Sequence, residues 1–243
     1  MKNYKRLIKS NLFLYRVFLK FKDFYLNLYA FSYALFLRIF KAKTFVFNDT
    51  NLPYFFHAYN KTWNNERTVE IPIILELIKN NYNEVRPYML EVGNVLSHYG
   101  YRGHTVLDKY EEGGGVLNID IVDYEPKNRY KYVVSISTLE HVGWDESPRD
   151  DHKIESALSK IKDLLLDEGV FIGTVPLGYN PILDSLLVSS KIKGFDKYFM
   201  VRNVISGGWE QTPHKSINSE MLSYNASVPT ANTVCIISIN KNV

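Results

Sequence analysis

Four short apolar runs dominate the middle of the chain, and each ends in a small or acidic residue. Apolar strands of this kind are buried in parallel sheets, whose polar carboxyl ends meet a ligand. The residues that end the runs are Gly93, Asp108, Asp120 and Ser137. The runs themselves cover residues 88–92, 105–107, 116–119 and 132–136. This stretch therefore predicts four neighbouring strands with a ligand at their carboxyl ends.

Apolar residues at helical spacing predict amphipathic helices at residues 70–81 and 153–166. Pro72 is expected in the first turn of the earlier helix, and Gly169 is expected to cap the later one. Three further apolar runs, at 170–175, 195–201 and 234–240, predict three more strands. Helices that alternate with strands indicate an α/β fold with a doubly wound sheet.

The first 43 residues have a different pattern. Residues 4–40 contain no Pro or Gly, and their few polar residues are spaced three or four apart, which predicts a helix with a wide apolar face. Ten Lys or Arg residues and one acid, Asp23, lie in residues 1–43. The longest uncharged stretch, 24–37, is shorter than the roughly 20 residues of a membrane span. The helix either lies on an anionic membrane surface or packs on protein.

An aromatic-rich segment, residues 44–69, joins this helix to the α/β region and is expected to be irregular. Its aromatic rings, amides and charges suit a wall for a polar organic ligand. They also suit a loop that is fixed to the sheet edge by its aromatics.

Composition narrows the class of protein. The chain has 243 residues, of which 46% are hydrophobic and 23% charged, as in a globular protein with one sizeable core. The single cysteine, Cys235, lies in an apolar run and predicts a buried, inert thiol in a reducing, cytoplasmic setting. The six histidines and Cys235 show no metal-ligand spacing, so no metal is predicted.

The acids near the strand ends have distinct predicted roles. Asp108, after the second run, can accept hydrogen bonds from two ribose hydroxyls. Asp120, after the third, can accept from an adenine amine, and Glu91 can face the amine of an amino-acid group. A single acid at a strand end usually caps a helix or meets solvent. Several acids in the right order along the chain are a more specific indication of a ligand site.

The segments LEVGN, VLDKYE, NIDIVD and SISTLEHVG, followed by a helix and DEGVFIGTVPLG, resemble class I S-adenosylmethionine (SAM)-dependent methyltransferases. The resemblance covers residues 70–180 best. It implies a Rossmann-like, mostly parallel seven-stranded sheet whose last strand is antiparallel, preceded here by the amphipathic helix. The domains are then a basic helical arm (1–43), a connector or lid (44–69) and a methyltransferase-like Rossmann domain (70–243).

The resemblance also implies residue roles. SAM would be the cofactor, with Ser137 to His141 beside the transferred methyl group and His141 as the candidate base, next to Glu140. The cofactor-binding residues would be Glu91, Gly93, Asn94, Asp108, Asp120, Ile121 and Ser137. The alternative for Glu140 and His141 is that they only cap the next helix and border the cofactor.

The expected acceptor is a small polar or glycan-like molecule, because flat aromatic faces stack on sugars while amides bind hydroxyls. The candidate substrate-binding residues are Tyr59, Trp63, Trp144, Tyr179, Asn180 and Trp209. Family analogy links such proteins to surface-polysaccharide assembly, and a basic helix at 4–40 suits peripheral contact with the inner membrane face.

Two other functions compete with methyl transfer. A nicotinamide-dependent oxidoreductase would use the same sheet, but its GxGxxG motif is absent. A non-catalytic protein of this fold, held to a membrane or partner by its N-terminal helix, is the third interpretation. Nucleic acid is a poor partner, since residues 44–243 have 25 acids and 19 Lys or Arg.

Overall fold

The computed structural model describes residues 44–78, 82–189, 192–203, 206–226 and 230–240. The predicted arm, residues 1–43, with its helix at 4–40, lies outside the described residues. Among the helices that are described, none has the length and apolar character needed to cross a membrane.

Ten strands and four α-helices make up the regular structure of the described residues. The strands are β1 (Thr44–Phe47), β2 (Thr50–Pro53), β3 (Met89–Val92), β4 (Thr105–Leu107), β5 (Val116–Leu117), β6 (Tyr130–Ile136), β7 (Leu165–Pro176), β8 (Asp196–Arg202), β9 (Trp209–Thr212) and β10 (Thr233–Asn240). The helices are α1 (Arg67–Leu77), α2 (Tyr82–Val85), α3 (Lys153–Leu164) and α4 (Pro181–Val188).

Eight of these strands form one sheet in the order β5-β4-β3-β6-β7-β10-β8-β9. The first five pair in parallel, and β10 is antiparallel to both β7 and β8. From β3 the chain builds β4 and β5 on one side, then β6 and β7 on the other. The order therefore reverses between β3 and β6, which is the switch point where doubly wound sheets bind ligands. The α/β prediction and the antiparallel last strand are confirmed.

The predicted count of seven strands is wrong, because Trp209–Thr212 adds an edge strand that pairs antiparallel with β8. This segment lies in what the sequence indicated was a long polar loop. Gly169 does not cap a helix either. Leu165 pairs with Tyr130 directly after α3 ends, so Gly169 lies inside β7.

Both faces of the sheet are covered. Along β10, Cys235 and Ile237 pack with α3 and α4, while Val234 and Ile236 pack with α1 and the β1–β2 hairpin. This alternation follows from the two-residue repeat of a strand. Cys235 is fully buried, as predicted, and burial raises the pKa of its thiol.

The connector is more regular than predicted, since residues 44–53 form an antiparallel hairpin. It joins the body of the protein through α1, which begins at Arg67 and places Pro72 inside the helix rather than in its first turn. Pro72 cannot donate to the carbonyl of Thr68. That carbonyl instead accepts a 2.9 Å hydrogen bond from the Phe55 amide. The proline thus frees an acceptor that attaches the connector to α1.

Candidate active site

A cavity of about 250 Å³ lies at the carboxyl ends of β3, β4, β5 and β6, at the switch point. All four predicted strand-end residues line it: Gly93, Asp108, Asp120 and Ser137. The other lining residues include apolar ones (Val92, Val95, Leu107, Ile119, Ile121, Val142) and polar ones (Asn94, Lys109, Tyr110, Thr138, His141, Glu146). The order of strands in the sheet therefore brings together residues that are far apart in the sequence.

Gly93 brings the backbone to the edge of the cavity. Its φ of +88° is one that side chains rarely allow, and a Cβ atom there would lie 2.1 Å from Oγ1 of Thr138. The Gly93 amide donates to the carbonyl of Leu107 at 2.7 Å. Glycine is required at this position by both the backbone angle and the contact with the β6 loop.

Glu91 has a different place from the predicted one. The pleat of β3 directs its side chain to the α1 side of the sheet, fully buried behind the cavity lining. One carboxylate oxygen accepts from the amides of Val95 (2.9 Å) and Leu96 (2.8 Å), and the other lies 2.7 Å from Nε2 of His104. Both oxygens are thus occupied, and Glu91 fixes the loop after β3 instead of facing an amine.

His104 extends this network, since its Nδ1 lies 2.6 Å from the hydroxyl of Tyr82. Burial, and then the charge of Glu91, raise the pKa of Tyr82 to about 12. Tyr82 therefore stays a neutral phenol at physiological pH, and the loop after β3 is held by a chain of three side chains, of which Glu91 and His104 are buried.

Asp108 organises the loop after β4. One carboxylate oxygen accepts from the amides of Tyr110 (2.9 Å) and Glu111 (2.8 Å). The other oxygen accepts, from the described residues, only a long bond of 3.3 Å from the amide of Asn94. A carboxylate oxygen accepts two hydrogen bonds, so this second oxygen keeps capacity for a ligand hydroxyl. The side-chain amide of Asn94 donates to Glu111 at 2.6 Å, which ties the two loops together.

Asp120 belongs to an ion cluster of four side chains, which we call the lysine cluster: Lys109, Asp120, Glu146 and Lys153. Lys153 lies 2.5 Å from Asp120 and 2.6 Å from Glu146, and Lys109 lies 2.9 Å and 2.8 Å from the same two carboxylates. An adenine amine would have to share Asp120 with both lysines. Burial alone would raise the pKa of Asp120, but the lysines outweigh it and hold that pKa below its ordinary value.

The lysine cluster predicts a specific acid sensitivity. The pKa of Glu146 is lowered like that of Asp120, since hydrogen bonds from both lysines outweigh burial. For carboxylates with lowered folded-state pKa values, the stabilisation is present above the unfolded-state values of about 4 and is lost as the pH falls through the folded-state values. When the pH is lowered from about 5 to about 3, the melting temperature of Glu146→Gln should therefore fall less than that of the unmodified protein.

Thermal unfolding at several pH values measures this effect. Glu168→Gln, which changes an exposed glutamate in β7, is the control and should follow the unmodified protein. If the melting temperatures of Glu146→Gln and of the control fall equally with pH, the lysine cluster adds no pH-dependent stability.

His141 lines the cavity and is paired with an acid that the sequence analysis did not single out. Its Nδ1 lies 2.6 Å from a carboxylate oxygen of Asp145, which also accepts from the Tyr179 hydroxyl at 2.7 Å. Burial, and then the hydrogen bond to Asp145, raise the pKa of Tyr179 to about 12. With Nδ1 donating to Asp145, the neutral imidazole leaves Nε2 free to accept a proton.

Glu140 is 2% exposed, and one of its oxygens lies 3.6 Å from Nε2 of His141, beyond hydrogen-bond range. Ser137 has a positive φ of 38°, and its hydroxyl donates to Glu70 at 2.7 Å. Glu70 in turn binds Arg67 at 2.6 Å. Ser137, beside the predicted methyl position, therefore borders a group of charges from α1, Arg67 and Glu70, that is separate from the lysine cluster.

The predicted substrate-binding residues separate into four groups. Trp63 (7% exposed) and Trp209 (3%) lie in the core and expose little ring surface to a ligand, and their contact with a substrate stays a prediction. Asn180 caps α4 and donates to the carbonyl of Glu140 at 2.9 Å, which makes it a support for the site. Tyr179 packs against His141, with ring centroids 4.8 Å apart.

Tyr59 and Trp144 keep partly accessible rings that already have partners. Tyr59 stacks on His98, with ring centroids 4.4 Å apart, and the Arg149 guanidinium lies 3.5 Å above the Trp144 ring. Tyr179 contacts the imidazole ring of the cavity residue His141, whereas Trp144 contacts the His141 backbone carbonyl through its amide at 3.2 Å.

Sequence reasoning missed several site residues, although signals for some of them exist. Lys109 follows Asp108 directly, and Asp145 lies four residues after His141, a spacing that lets side chains meet on a helical turn. Glu146 and Lys153 gave no local signal, because only the fold of the 142–152 loop brings them to Asp120.

Comparisons with known proteins give no match to a family model and no match to a curated sequence. Solved structures give weak likenesses to methyltransferases. An S-adenosylmethionine-dependent methyltransferase from Clostridium acetobutylicum is 10% identical, with 69% of this chain and 89% of that one covered, at a TM-score of 0.36.

Two further solved structures are similar to the same degree. N-methyltransferase NodS from Bradyrhizobium japonicum, in complex with S-adenosyl-L-homocysteine (SAH), is 8% identical over 73% of this chain and 93% of that one, at a TM-score of 0.36. The DhpI-SAM-HEP complex is 14% identical over 69% and 84%, also at 0.36. Likenesses this weak leave the function to be inferred from the geometry of the site itself.

Proposed function

We propose that this protein is a SAM-dependent methyltransferase that acts on a small polar acceptor. The observation that carries the proposal is the convergence of four strand-end residues on one cavity at the switch point of the sheet. A ligand there meets the close-packed backbone of Gly93 after β3, the Asp108 carboxylate after β4 and the His141–Asp145 pair after β6. This order of polar groups suits an adenosine that carries a reactive group at one end.

The residues present fit such a cofactor. Gly93 keeps clear the position that a Cβ atom would occupy against Thr138, and Asp108 offers an oxygen with spare acceptor capacity to a ribose hydroxyl. Ile119, Ile121 and Val142 supply apolar walls for a flat base. Asn94 and Ser137 border the cofactor, while Glu91 acts from behind by fixing the loop.

When bound, SAM supplies a methyl group on a sulfonium, and the bond between that carbon and sulfur breaks with its electron pair staying on sulfur. The chain has to position the acceptor in line and remove its proton. His141 is the base in this proposal. Its Nε2 takes the proton of an acceptor hydroxyl, and the oxygen lone pair forms the new bond to the methyl carbon.

Asp145 and Tyr179 support this role. Asp145 fixes the ring through Nδ1 and stabilises the imidazolium that forms, as carboxylates do in other histidine bases. O-methylation of a glycan-like acceptor is the finer form of the proposal, because a hydroxyl acceptor benefits from such a base.

Calorimetric titration tests the proposal directly. The full chain should bind SAH at a single saturable site and should not bind NAD. Binding of NAD without SAH would favour the oxidoreductase interpretation. If well-folded protein binds neither ligand, the non-catalytic interpretation replaces the enzyme, and binding to anionic vesicles becomes the next measurement.

A further inference from the structure

Behind the wall formed by Ser137 and His141 lies a buried group of charges that methyl transfer by itself does not use. We call it the acidic chamber; it consists of Glu66, Arg67, Glu70 and Glu140. The three glutamates are 5%, 0% and 2% exposed. Arg67 contacts Glu70 at 2.6 Å, and Ser137 donates to the other oxygen of Glu70 at 2.7 Å.

Charge is unbalanced in the acidic chamber. Three carboxylates meet one guanidinium, and the described contacts of Arg67 pair it with Glu70. Glu66 accepts a weak 3.4 Å bond from the Ala231 amide. Burying carboxylates without a cation is costly, so such groups take up protons or acquire a positively charged partner.

One unsatisfied polar atom marks the place for that partner. Within the described residues, Oε2 of Glu140 has no hydrogen-bond partner, although Glu140 is only 2% exposed. Buried polar groups in native proteins are hydrogen-bonded in the great majority of cases. An orphaned carboxylate oxygen beside a proposed catalytic base therefore indicates a donor that arrives with a ligand.

Electrostatics agree with the geometry. Burial raises the pKa of Glu140 well above its ordinary value, and the charges of Glu70 and Glu66 add to the effect. The pKa of Glu66 is raised by burial and by Glu70. The acidic chamber also affects Tyr224: burial raises the pKa of its hydroxyl, and the charges of Glu66 and Glu140 raise it further.

We propose that the acidic chamber binds a cationic amine carried by the acceptor, with Glu140 as its partner. This inference rests on the proposed function and adds the chemical class of the substrate. An ammonium group supplies both the missing N–H donor and the missing positive charge. A neutral sugar supplies only the donor.

The position of the chamber also selects the atom that is methylated. Glu140 lies 3.6 Å from Nε2 of His141, so an ammonium at Glu140 places a hydroxyl on the neighbouring carbon within reach of the base. An ammonium nitrogen has no lone pair and cannot attack a methyl group while it is bound as a cation. The acceptor is thus an amino alcohol, such as an amino sugar, that is methylated on oxygen.

Two small probes of matched size test the inference: ethanolamine, which carries the ammonium, and ethylene glycol, which does not. Saturation-transfer NMR is recorded for each probe with the full chain saturated with SAH. Ethanolamine should give at least a fivefold stronger signal than ethylene glycol. Glu140→Gln should abolish this preference, whereas Glu168→Gln, at an exposed position, should keep it.

Thermal unfolding of the same variants gives a second readout. A carboxyl whose folded-state pKa is raised loses stability as the pH rises above its unfolded-state value of about 4.3. Glu140→Gln should therefore melt at a higher temperature than the unmodified protein at neutral pH, by a margin that grows as the pH rises from 5 to 8. A variant that melts lower would show that Glu140 has a stabilising partner within the fold.

The outcomes separate the two proposals. Failure to bind SAH overturns the proposed function. Binding of SAH together with equal signals from the two probes, no signal from either, or a preference for ethanolamine that survives Glu140→Gln, overturns the cationic acceptor and leaves the methyltransferase proposal in place.

Discussion

Replacing Asp108 with alanine is expected to weaken SAH binding by at least about a hundredfold. A hydrogen bond to a charged group contributes roughly 1.5–3 kcal/mol, and one ribose hydroxyl would use the remaining capacity of the second carboxylate oxygen, so the direct loss alone is about ten- to hundredfold. The substitution also removes the acceptor of the Tyr110 and Glu111 amides. The loop that borders the cavity would then lose its anchor.

Two companion variants separate these effects in the same calorimetric titration. Asp108→Asn keeps an oxygen for the backbone amides but loses the charge, so its affinity should lie between those of the unmodified protein and Asp108→Ala. Asp163→Ala, on the exposed side of α3, should bind normally. Unchanged affinity in Asp108→Ala, with the fold intact, would place the ligand away from β4.

Gly93→Ala is expected to lower the free energy of unfolding by about 3 kcal/mol, the sum of two effects. A non-glycine residue at φ +88° costs roughly 1–3 kcal/mol, and overpacking against Thr138 costs a similar amount. The new Cβ atom would lie 2.1 Å from Oγ1 of Thr138, so one of the two loops has to move. Because that movement occurs in the cavity wall, SAH binding should fall as well.

The chain offers a matched control in Gly100. It has a nearly identical φ of +90°, and a Cβ atom there would meet nothing within 4 Å. Denaturant unfolding should therefore show a loss of about 1–2 kcal/mol for Gly100→Ala, the backbone cost alone. Combining Gly93→Ala with Thr138→Gly should recover the part that comes from the contact. Equal losses at the two glycines would show that the contact between the two loops is not tight.

Much of the sheet could be predicted from the sequence. Short apolar runs gave β3, β4 and β6 to within a residue or two, because strands that are buried on both faces have to be apolar throughout. The same pattern located Gly93, Asp108, Asp120 and Ser137, since the carboxyl ends of neighbouring parallel strands share one edge of the sheet.

Errors arose where a local pattern allowed two environments. Trp63 and Trp209 were predicted to stack on a ligand, and only the packing of the connector and of β9 against the sheet places both rings in the core. Edge strand β9 itself is polar in three of its four residues, because an edge strand exposes one side to solvent.

Side-chain networks lay beyond the reach of the sequence. Glu91 sits at a strand end like a ligand-binding acid, yet the pleat of β3 turns it inward, where His104 and two backbone amides occupy it. The lysine cluster joins residues 109, 120, 146 and 153, and the acidic chamber joins residues 66, 67, 70 and 140.

The sequence by itself thus determined the α/β class, the strand ends and the position of the cavity, because these follow from burial and from the repeat of a strand. The tertiary structure decided which acids are free to meet a ligand and which are already paired. Hydrogen bonds and ion pairs depend on distances of a few ångströms between residues far apart in the chain, and those distances exist only once the two faces of the sheet are packed.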